Sequence, residues 1–268
     1  MPKVSVIMGV YNGKNGLKRA IDSILNQTFE DFEFLICDDA STDGSSEILK
    51  AYAFRDRRIK IFTNRKNRKL AASLNRCIRA ASGEYIARMD DDDYSHRERL
   101  AKQVAFLEQH PEYAFVGTAA ARFDKNGIWG KSFGTAYPDL KQCYKKVQFI
   151  HPSVMMRSDL LREVGGYTEN KENERSQDYD LWCKFYQKGY QGCNLQETLF
   201  YYRESQRSIQ KRKKRYRIDF LKKQLRWRRR LKLPVWYDIY AWIEVYKIMM
   251  PNFILLHMRK RRLQKGLS

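Results

Sequence analysis

Residues 83–94 read GEYIARMDDDDY. Gly83 closes one segment. Tyr85, Ile86 and Met89 then predict a short buried strand that runs into four consecutive carboxylates, Asp90, Asp91, Asp92 and Asp93. Adjacent negative charges repel, so a fold that keeps four of them at a strand end is expected to give them a cation. Hard oxygen donors suit Mg²⁺ or Mn²⁺ rather than zinc, and an ion held by one or two protein carboxylates usually completes its shell with substrate phosphates. The stretch therefore predicts a metal-bridged diphosphate site at the carboxyl edge of an α/β sheet. The alternative is an acidic turn exposed to water.

Working outward, residues 3–11 (KVSVIMGVY) are rich in β-branched side chains and predict a buried first strand. After a loop containing Asn12, Gly13, Asn15 and Gly16, apolar residues recur at helical spacing at Leu17, Ala20, Ile21, Ile24 and Leu25. Phe34 to Cys37 form a second apolar run, which ends on Asp38 and Asp39. IKIF at 59–62 predicts a third strand, and Leu70, Leu74, Cys77, Ile78 and Ala81 the helix that leads back to residue 83. Such alternation implies a parallel sheet with helices on both faces, where ligands sit beyond the carboxyl ends of strands. Both acidic clusters fall at such ends. Gly9, Gly13 and Gly16 do not have the GxGxxG spacing, and no GxxxxGK[ST] occurs, so metal and side chains rather than a glycine cradle are expected to hold a nucleotide.

Beyond residue 94 the pattern predicts a helix around Leu100–Leu107, a strand at 114–123 and a helix over 138–149. A strand at 151–157 (HPSVMMR) and a helix ending on Gly165 and Gly166 follow. Residues 177–188 predict an amphipathic helix with Leu181, Trp182 and Phe185 inward. Asp178 lies in its first turn, where charge complementarity with the helix end is one sufficient explanation.

The chain has 268 residues, enough for one sizeable core and an appendage, and a net charge of +21. That charge is uneven: residues 211–268 hold 19 Lys and Arg against 3 acids, whereas the preceding 210 residues hold 33 against 28. Five scattered cysteines without a CxxC pair fit reduced thiols and argue against a disulfide framework or a zinc site. The first residues enter a strand at once, so no signal peptide is expected and the chain is expected to stay inside the cell.

Taken together, VSVIMGVYNG, QTFEDFEFLICDDASTDGS, LAASLNRCIRAASGEYIARMDDDD, RERLAKQVAFLEQHPE, HPSVMMR, VGGY, QDYDLWCKF and LFYYR resemble, in order, a family 2 glycosyltransferase. The resemblance covers residues 3–210. It implies the GT-A fold, a Rossmann-like three-layer α/β/α mixed sheet. Residues 1–210 would form the catalytic domain, with a donor half to about 95 and an acceptor half from about 96. It further implies inverting, metal-dependent transfer from a nucleotide-diphospho-sugar, favouring a UDP-sugar, to a hydroxyl of a glycan or lipid-linked acceptor. Gly9, Val10 and Tyr11 would line the base pocket, and Asp39 would accept from the base. Asp90 and Asp92 would be the acids of a DxD motif, with Asp90 towards ribose and phosphate and Asp92 the more direct ligand of Mn²⁺ or Mg²⁺. Asp91 would be auxiliary to donor binding, and Asp178 the general base. His151 would lie on the acceptor or metal side, or would be a buried, hydrogen-bonded histidine. Gln177 stands where the family usually has Glu, and Lys69 where glycine is common. Arg65 and Arg68 could reach the diphosphate or could be solvated. The processive signature QxxRW is absent, so one sugar per encounter is expected.

The tail, 211–268, interleaves cations with Ile218, Leu221, Leu225, Trp227 and Leu231, then becomes aromatic between Pro234 and Pro251. Sixteen residues broken by Asp238, Glu244 and Lys247 fall short of the ~20 that a membrane span needs. An amphipathic helical extension lying on an anionic membrane surface is expected, on the inner face of the cell membrane. Packing on the catalytic domain is the alternative. Nucleic-acid binding through the tail is the rival from another class, and a metal-dependent nucleotidyltransferase or phosphohydrolase the rival enzyme.

Overall fold

β1 (Val4–Val10) is buried along its whole length, as a strand must be when it has neighbours on both edges and helices on both faces. It pairs in parallel with β2 (Phe32–Asp38) and β4 (Tyr85–Asp90), and β2 pairs in parallel with β3 (Ile59–Thr63). The computed structural model describes residues 1–204 and 214–250, together with positions 254, 258, 261 and 263.

The crossovers are α1 (Lys14–Leu25), α2 (Ser45–Arg55) and α3 (Lys69–Ala80). Val4, Val6, Met8 and Val10 face Leu17, Ala20, Ile21 and Ile24 of α1 on one side of the sheet. Ile7, Leu35 and Ile86 pack on the other side with Leu74, Cys77 and Ile78 of α3. Each buried aliphatic side chain contributes about 1.5–3 kcal/mol, which is why strand period and helix period agree on one core.

Past β4 the direction reverses. The sheet order is β3-β2-β1-β4-β8-β6-β9-β5, with β7 (Gly127–Ser132) on β6. β8 (Met155–Arg157) is antiparallel to both β4 and β6 (Tyr113–Asp124), and β6 runs parallel to β9 (Gln191–Arg203). β5 is the two residues Tyr94 and Ser95, paired with β9. The sheet is thus mixed, with α4 (Arg99–Gln109) on the α1 face and α6 (Ser158–Glu163) and α7 (Gln177–Gln187) on the α3 face.

Two elements are shorter than their sequence predicts. The helix expected over 138–149 is only α5 (Leu140–Lys145); an Asp139–Gln142 capping box starts it, and Lys146 turns extended. The strand expected over 151–157 begins as a 3₁₀ turn, His151–Ser153, because Pro152 offers no N–H to a ladder.

The tail forms α8 (Lys214–Arg230) and α9 (Asp238–Met249). Trp227 of α8 is buried against Tyr179 and Cys183 of α7. Leu233 and Tyr237 close over Tyr144 of α5. One face of the tail is therefore packed on the catalytic core. No helix among the described residues is long and apolar enough to cross a membrane. The first three residues of the expected basic run at 211–233 and most of the basic run at 258–265 lie outside the described residues.

Candidate active site

Strand register builds the donor edge. Gly9 lies opposite Cys37 on one side and Asp90 on the other, and Val10 lies opposite Asp38. Three carboxyl ends therefore finish level, at the point where crossovers leave β1 and β4 in opposite directions, and a crevice opens there.

The four aspartates have four different environments. Asp90 shares a strand face with Arg88, two residues back, and the two form an ion pair. Asp91 folds towards the β1–α1 loop: a Cβ on Gly13 would stand 2.2 Å from its Oδ2, so only glycine admits this approach. Burial, then Asp90 and Asp92, push the Asp91 carboxyl up to about 7, against the pull of the Tyr11 backbone N–H. Burial and Asp90 push Asp92 up to about 6, opposed by Arg203 and Arg88. Arg19 donates to the Asp92 carbonyl at 3.2 Å. Asp93 is interior, accepts from the backbone N–H of Arg203 at 2.6 Å, and is raised well above the usual range by burial first. It is a structural tie to β9, so the run is not four exposed charges.

The residues fit a hard divalent cation held by few protein ligands. The donors are all carboxylate oxygens, one oxygen of Asp90 is committed to Arg88, and Asp91 and Asp92 repel Asp90 in a part-buried setting that a cation would relieve. Among the described residues no three His, Cys, Asp or Glu side chains are gathered to hold an ion unaided. Diphosphate oxygens would have to complete the shell.

Gly9 and Val10 lie inside the sheet, and Val10 meets the site through its carbonyl, which accepts from the Asp39 N–H at 2.8 Å. Tyr11, the residue after β1, is 51% exposed. Buried Asp39 accepts at 2.8 Å from Asn64 Nδ2 and Arg68 N on Oδ1, and from Lys69 N on Oδ2. An oxygen accepts two such bonds, so Oδ2 keeps one place for a base N–H. Lys69 sits at φ +73°, the left-handed conformation for which glycine is favoured, so the backbone path survives the change of residue. Arg65 and Arg68 line an open basic cavity beside this loop with Asn64, Lys66 and Arg76. Arg68 reaches across to Glu169 at 3.3 Å.

Asp178 enters from the other half. It stands in the first turn of α7, whose Leu181, Trp182 and Phe185 pack on the same sheet face as Ile86. Ile86, Arg88 and Asp90 alternate onto that face. Burial raises the Asp178 carboxyl; the Tyr179 backbone N–H, Lys223 and Arg88 oppose it. Arg88 lies within electrostatic reach of Asp90, Asp93 and Asp178 alike. Asp90 and Asp178 are thus both within reach of Arg88, while Asp91 and Asp92 lie past the end of β4, against Gly13 and Gly16.

His151 is buried, with Nε2 2.7 Å from the Tyr167 hydroxyl. Burial and then Arg88 hold its imidazole well below the usual range, so it is neutral at pH 7. Gln177 is buried too, and its Oε1 has no partner among the described residues. Sequence reasoning missed Arg88 and Lys223. Period-two alternation, which sets Arg88 on the face of Asp90, was the available signal for the first.

A family model described as "Glycosyl transferase family 2" matches residues 5–165. EpsE of Bacillus subtilis (strain 168), named as a glycosyltransferase, is 42% identical over 263 residues, 97% of this chain and 94% of EpsE. The O-antigen biosynthesis glycosyltransferase WbnJ of Escherichia coli is 35% identical over 217 residues, 78% of this chain and 82% of WbnJ. The mannosyltransferase PcManGT from Pyrobaculum calidifontis, solved with GDP-Man and Mn²⁺, has a TM-score of 0.68 at 18% identity and covers 99% of this chain and 84% of its own. That last likeness is one of fold.

Proposed function

The chain belongs to glycosyl transferase family 2, and from that premise we propose that it moves a sugar from a UDP-sugar to a hydroxyl of a glycan or lipid-linked acceptor. Transfer is by a single inverting displacement, one sugar per encounter. The observation that supports this reading is that Arg88 of β4 pairs with Asp90 and lies within electrostatic reach of both Asp92 and Asp178.

Asp39 and Tyr11 hold the base at the end of β2 and β1. Asp92, with Asp90, would hold Mn²⁺ or Mg²⁺, and that ion supplies Lewis-acid stabilisation of charge on the departing diphosphate. Arg88 holds one oxygen of Asp90 in an ion pair, which leaves the other for the cation. Asp178 takes the proton of the acceptor hydroxyl. A carboxylate raised by burial is the stronger base for that step, an effect worth ~10²–10⁴-fold. Because attack and departure occur on opposite faces of the sugar, no second carboxylate is required as a nucleophile.

The acceptor is set at a membrane surface in this reading. α9 and the turn before it expose Trp236, Ile239, Trp242, Ile243 and Tyr246 at three- and four-residue spacing. An aromatic stripe in a strongly basic tail suits a helix lying among anionic headgroups, on the inner face of the cell membrane. The name of WbnJ, an O-antigen biosynthesis glycosyltransferase, is consistent with building a surface glycan.

Incubation with a panel of nucleotide sugars, Mn²⁺ and lipid-linked glycan acceptors tests the enzymology. Release of UDP with an inverted anomeric centre is expected; release of pyrophosphate or UMP would instead identify a nucleotidyltransferase or phosphohydrolase. Co-sedimentation with phosphatidylglycerol vesicles, lost in Trp242→Ser, is expected for the tail. Retention on polynucleotide without vesicle binding would point to nucleic acid.

A further inference from the structure

α8 reads in sequence as part of a basic amphipathic extension expected on a membrane surface, yet Lys223 is 2% exposed and Trp227 1% exposed. Both point into the start of α7. Lys223 Nζ donates to the Ser176 carbonyl at 3.1 Å and to the Ser176 hydroxyl at 2.5 Å. One turn on, Trp227 Nε1 donates to Asp180 Oδ1 at 2.8 Å. Arg226 pairs with Glu172 at 2.7 Å, ahead of Ser176. One face of α8 therefore grips the segment 172–180, which is centred on Ser176 and contains Asp178.

We propose that Lys223 is a positioning residue for sugar transfer, locking Ser176 at the mouth of α7 and placing a buried positive charge beside Asp178. A neutral side chain could have bonded Ser176 as well. A buried ammonium is tolerated only near an anion, because taking an unpaired charge out of water costs several kcal/mol. Two carboxylates are in reach. Asp180 already accepts from Trp227 on Oδ1 and from Thr168 on Oδ2 at 2.6 Å. Asp178, which accepts from the Tyr179 backbone N–H, is the second carboxylate whose charge holds the Lys223 ammonium up, after Asp180.

The electrostatics run the same way. Burial pulls the Lys223 ammonium down while Asp180 and Asp178 hold it up, and Lys223 in turn lowers Asp178. The other groups facing Asp178 are Arg88 from β4 and the Tyr167 phenol. On this view the tail completes the catalytic domain, since α7 is held in register only when α8 is docked.

The inference rests on Asp178 being the base, so its test reads the pair without relying on turnover alone. In the full chain, ¹³C titration of the Asp178 carboxyl is compared in the native protein, Lys223→Met and Lys223→Arg. Hydrolysis of UDP-glucose, UDP-galactose or UDP-N-acetylglucosamine, whichever is turned over with water as acceptor, is followed against pH. Lys223→Met is expected to move the Asp178 titration and the acid limb to higher pH, lowering the rate at the acid end roughly tenfold with the alkaline plateau nearly intact. Lys223→Arg restores both. An unmoved carboxyl titration, or a uniform loss at every pH, overturns the proposal. Should Lys223→Met fail to fold, as read by lost stabilisation with UDP and Mn²⁺, Lys223→Gln carries the same comparison. Full activity in Asp178→Asn would remove the base reading, while the titration would still report whether Lys223 and Asp178 are coupled.

Discussion

The donor sheet has a carboxylate site at each end, and the two are built in opposite ways. At the amino-terminal edge, Glu33 of β2 accepts from Ser5 Oγ of β1 at 2.7 Å, from Lys60 Nζ of β3 at 2.9 Å and from Ser82 N and Oγ at 2.8 Å. Burial alone would push its carboxyl up; these four partners overcome that and hold it at about 2. At the carboxyl-terminal edge, Asp91 and Asp92 are pushed up to about 7 and 6 by burial and by the charge of Asp90, more than the Tyr11 backbone N–H, Arg203 and Arg88 offset. The same contrast recurs on α7, where Asp180 has a donor on each oxygen and Asp178 is raised. Satisfied carboxylates hold the fold together; the raised ones, apart from Asp93 tied to β9, are the candidates for meeting a ligand.

The sharpest way to break this contrast is to neutralise one raised carboxylate from each side of the cleft. Asp178→Asn is expected to lower kcat by ~10²–10⁴-fold while UDP and Mn²⁺ still raise the melting temperature. Asp92→Asn is expected to abolish that Mn²⁺-dependent stabilisation and to lower transfer about 10²–10³-fold. Without ligand it should melt higher than the native protein, because one of the mutually repelling charges is gone. If both variants lost donor binding equally, the division between donor acids and base would not hold.

Next in size is the tail. Trp227→Ala removes a fully buried indole and the donor on Asp180, and about 3–5 kcal/mol of stability is expected to go with them in denaturant unfolding. Trp242→Ser, on the exposed face of α9, should change stability by no more than ~0.5 kcal/mol. Equal effects would mean that α8 is no more part of the core than α9's outer face.

Gly16 gives a smaller test, with opposite signs from two principles. It lies inside α1, where alanine would ordinarily add about 1 kcal/mol. Here a Cβ would stand 2.6 Å from Asp92 Cα and 2.8 Å from the Asp91 carbonyl. Gly16→Ala must therefore shift the acidic turn, and a net loss of about 1–3 kcal/mol with weaker Mn²⁺·UDP binding is expected. A gain in stability would show that the turn is not pinned to α1.

The contrast also explains what could be read from the sequence. VSVIMGV and FEFLICD are legible because a strand buried on both faces is apolar along its length. The acidic edge is legible because register places strand ends level. Helix α5 was over-read because the apolar pattern continues past Lys145, whereas Lys146 turns extended. The tail's apolar stripe announces a partner without saying whether it is lipid or protein. Lys223, in a run of Lys and Arg, carries no local sign of burial: its partner Ser176 is 47 residues away. Donor chemistry depends on neighbours joined by short crossovers. The surroundings of Asp178 depend on a contact that only the closed chain makes.

Glu33 offers the finest discrimination, since it should affect stability and leave the chemistry alone. Glu33→Gln keeps an oxygen for Ser5 and Ser82 but loses the charge that Lys60 pairs with, and about 1 kcal/mol is expected to go at pH 7. The pH dependence gives the sign. A carboxyl held at about 2 in the fold, against an ordinary value of 4.5, stabilises above 4.5 and loses that contribution as pH falls towards 2. The gap in denaturant midpoint between native and variant should therefore be open at pH 7 and closed near pH 2, with transfer at neutral pH unchanged. A gap that stayed open in acid would mean that shape rather than charge holds this end of the sheet. The two edges would then differ in packing alone, and the raised aspartates would lose their standing as the marked exception.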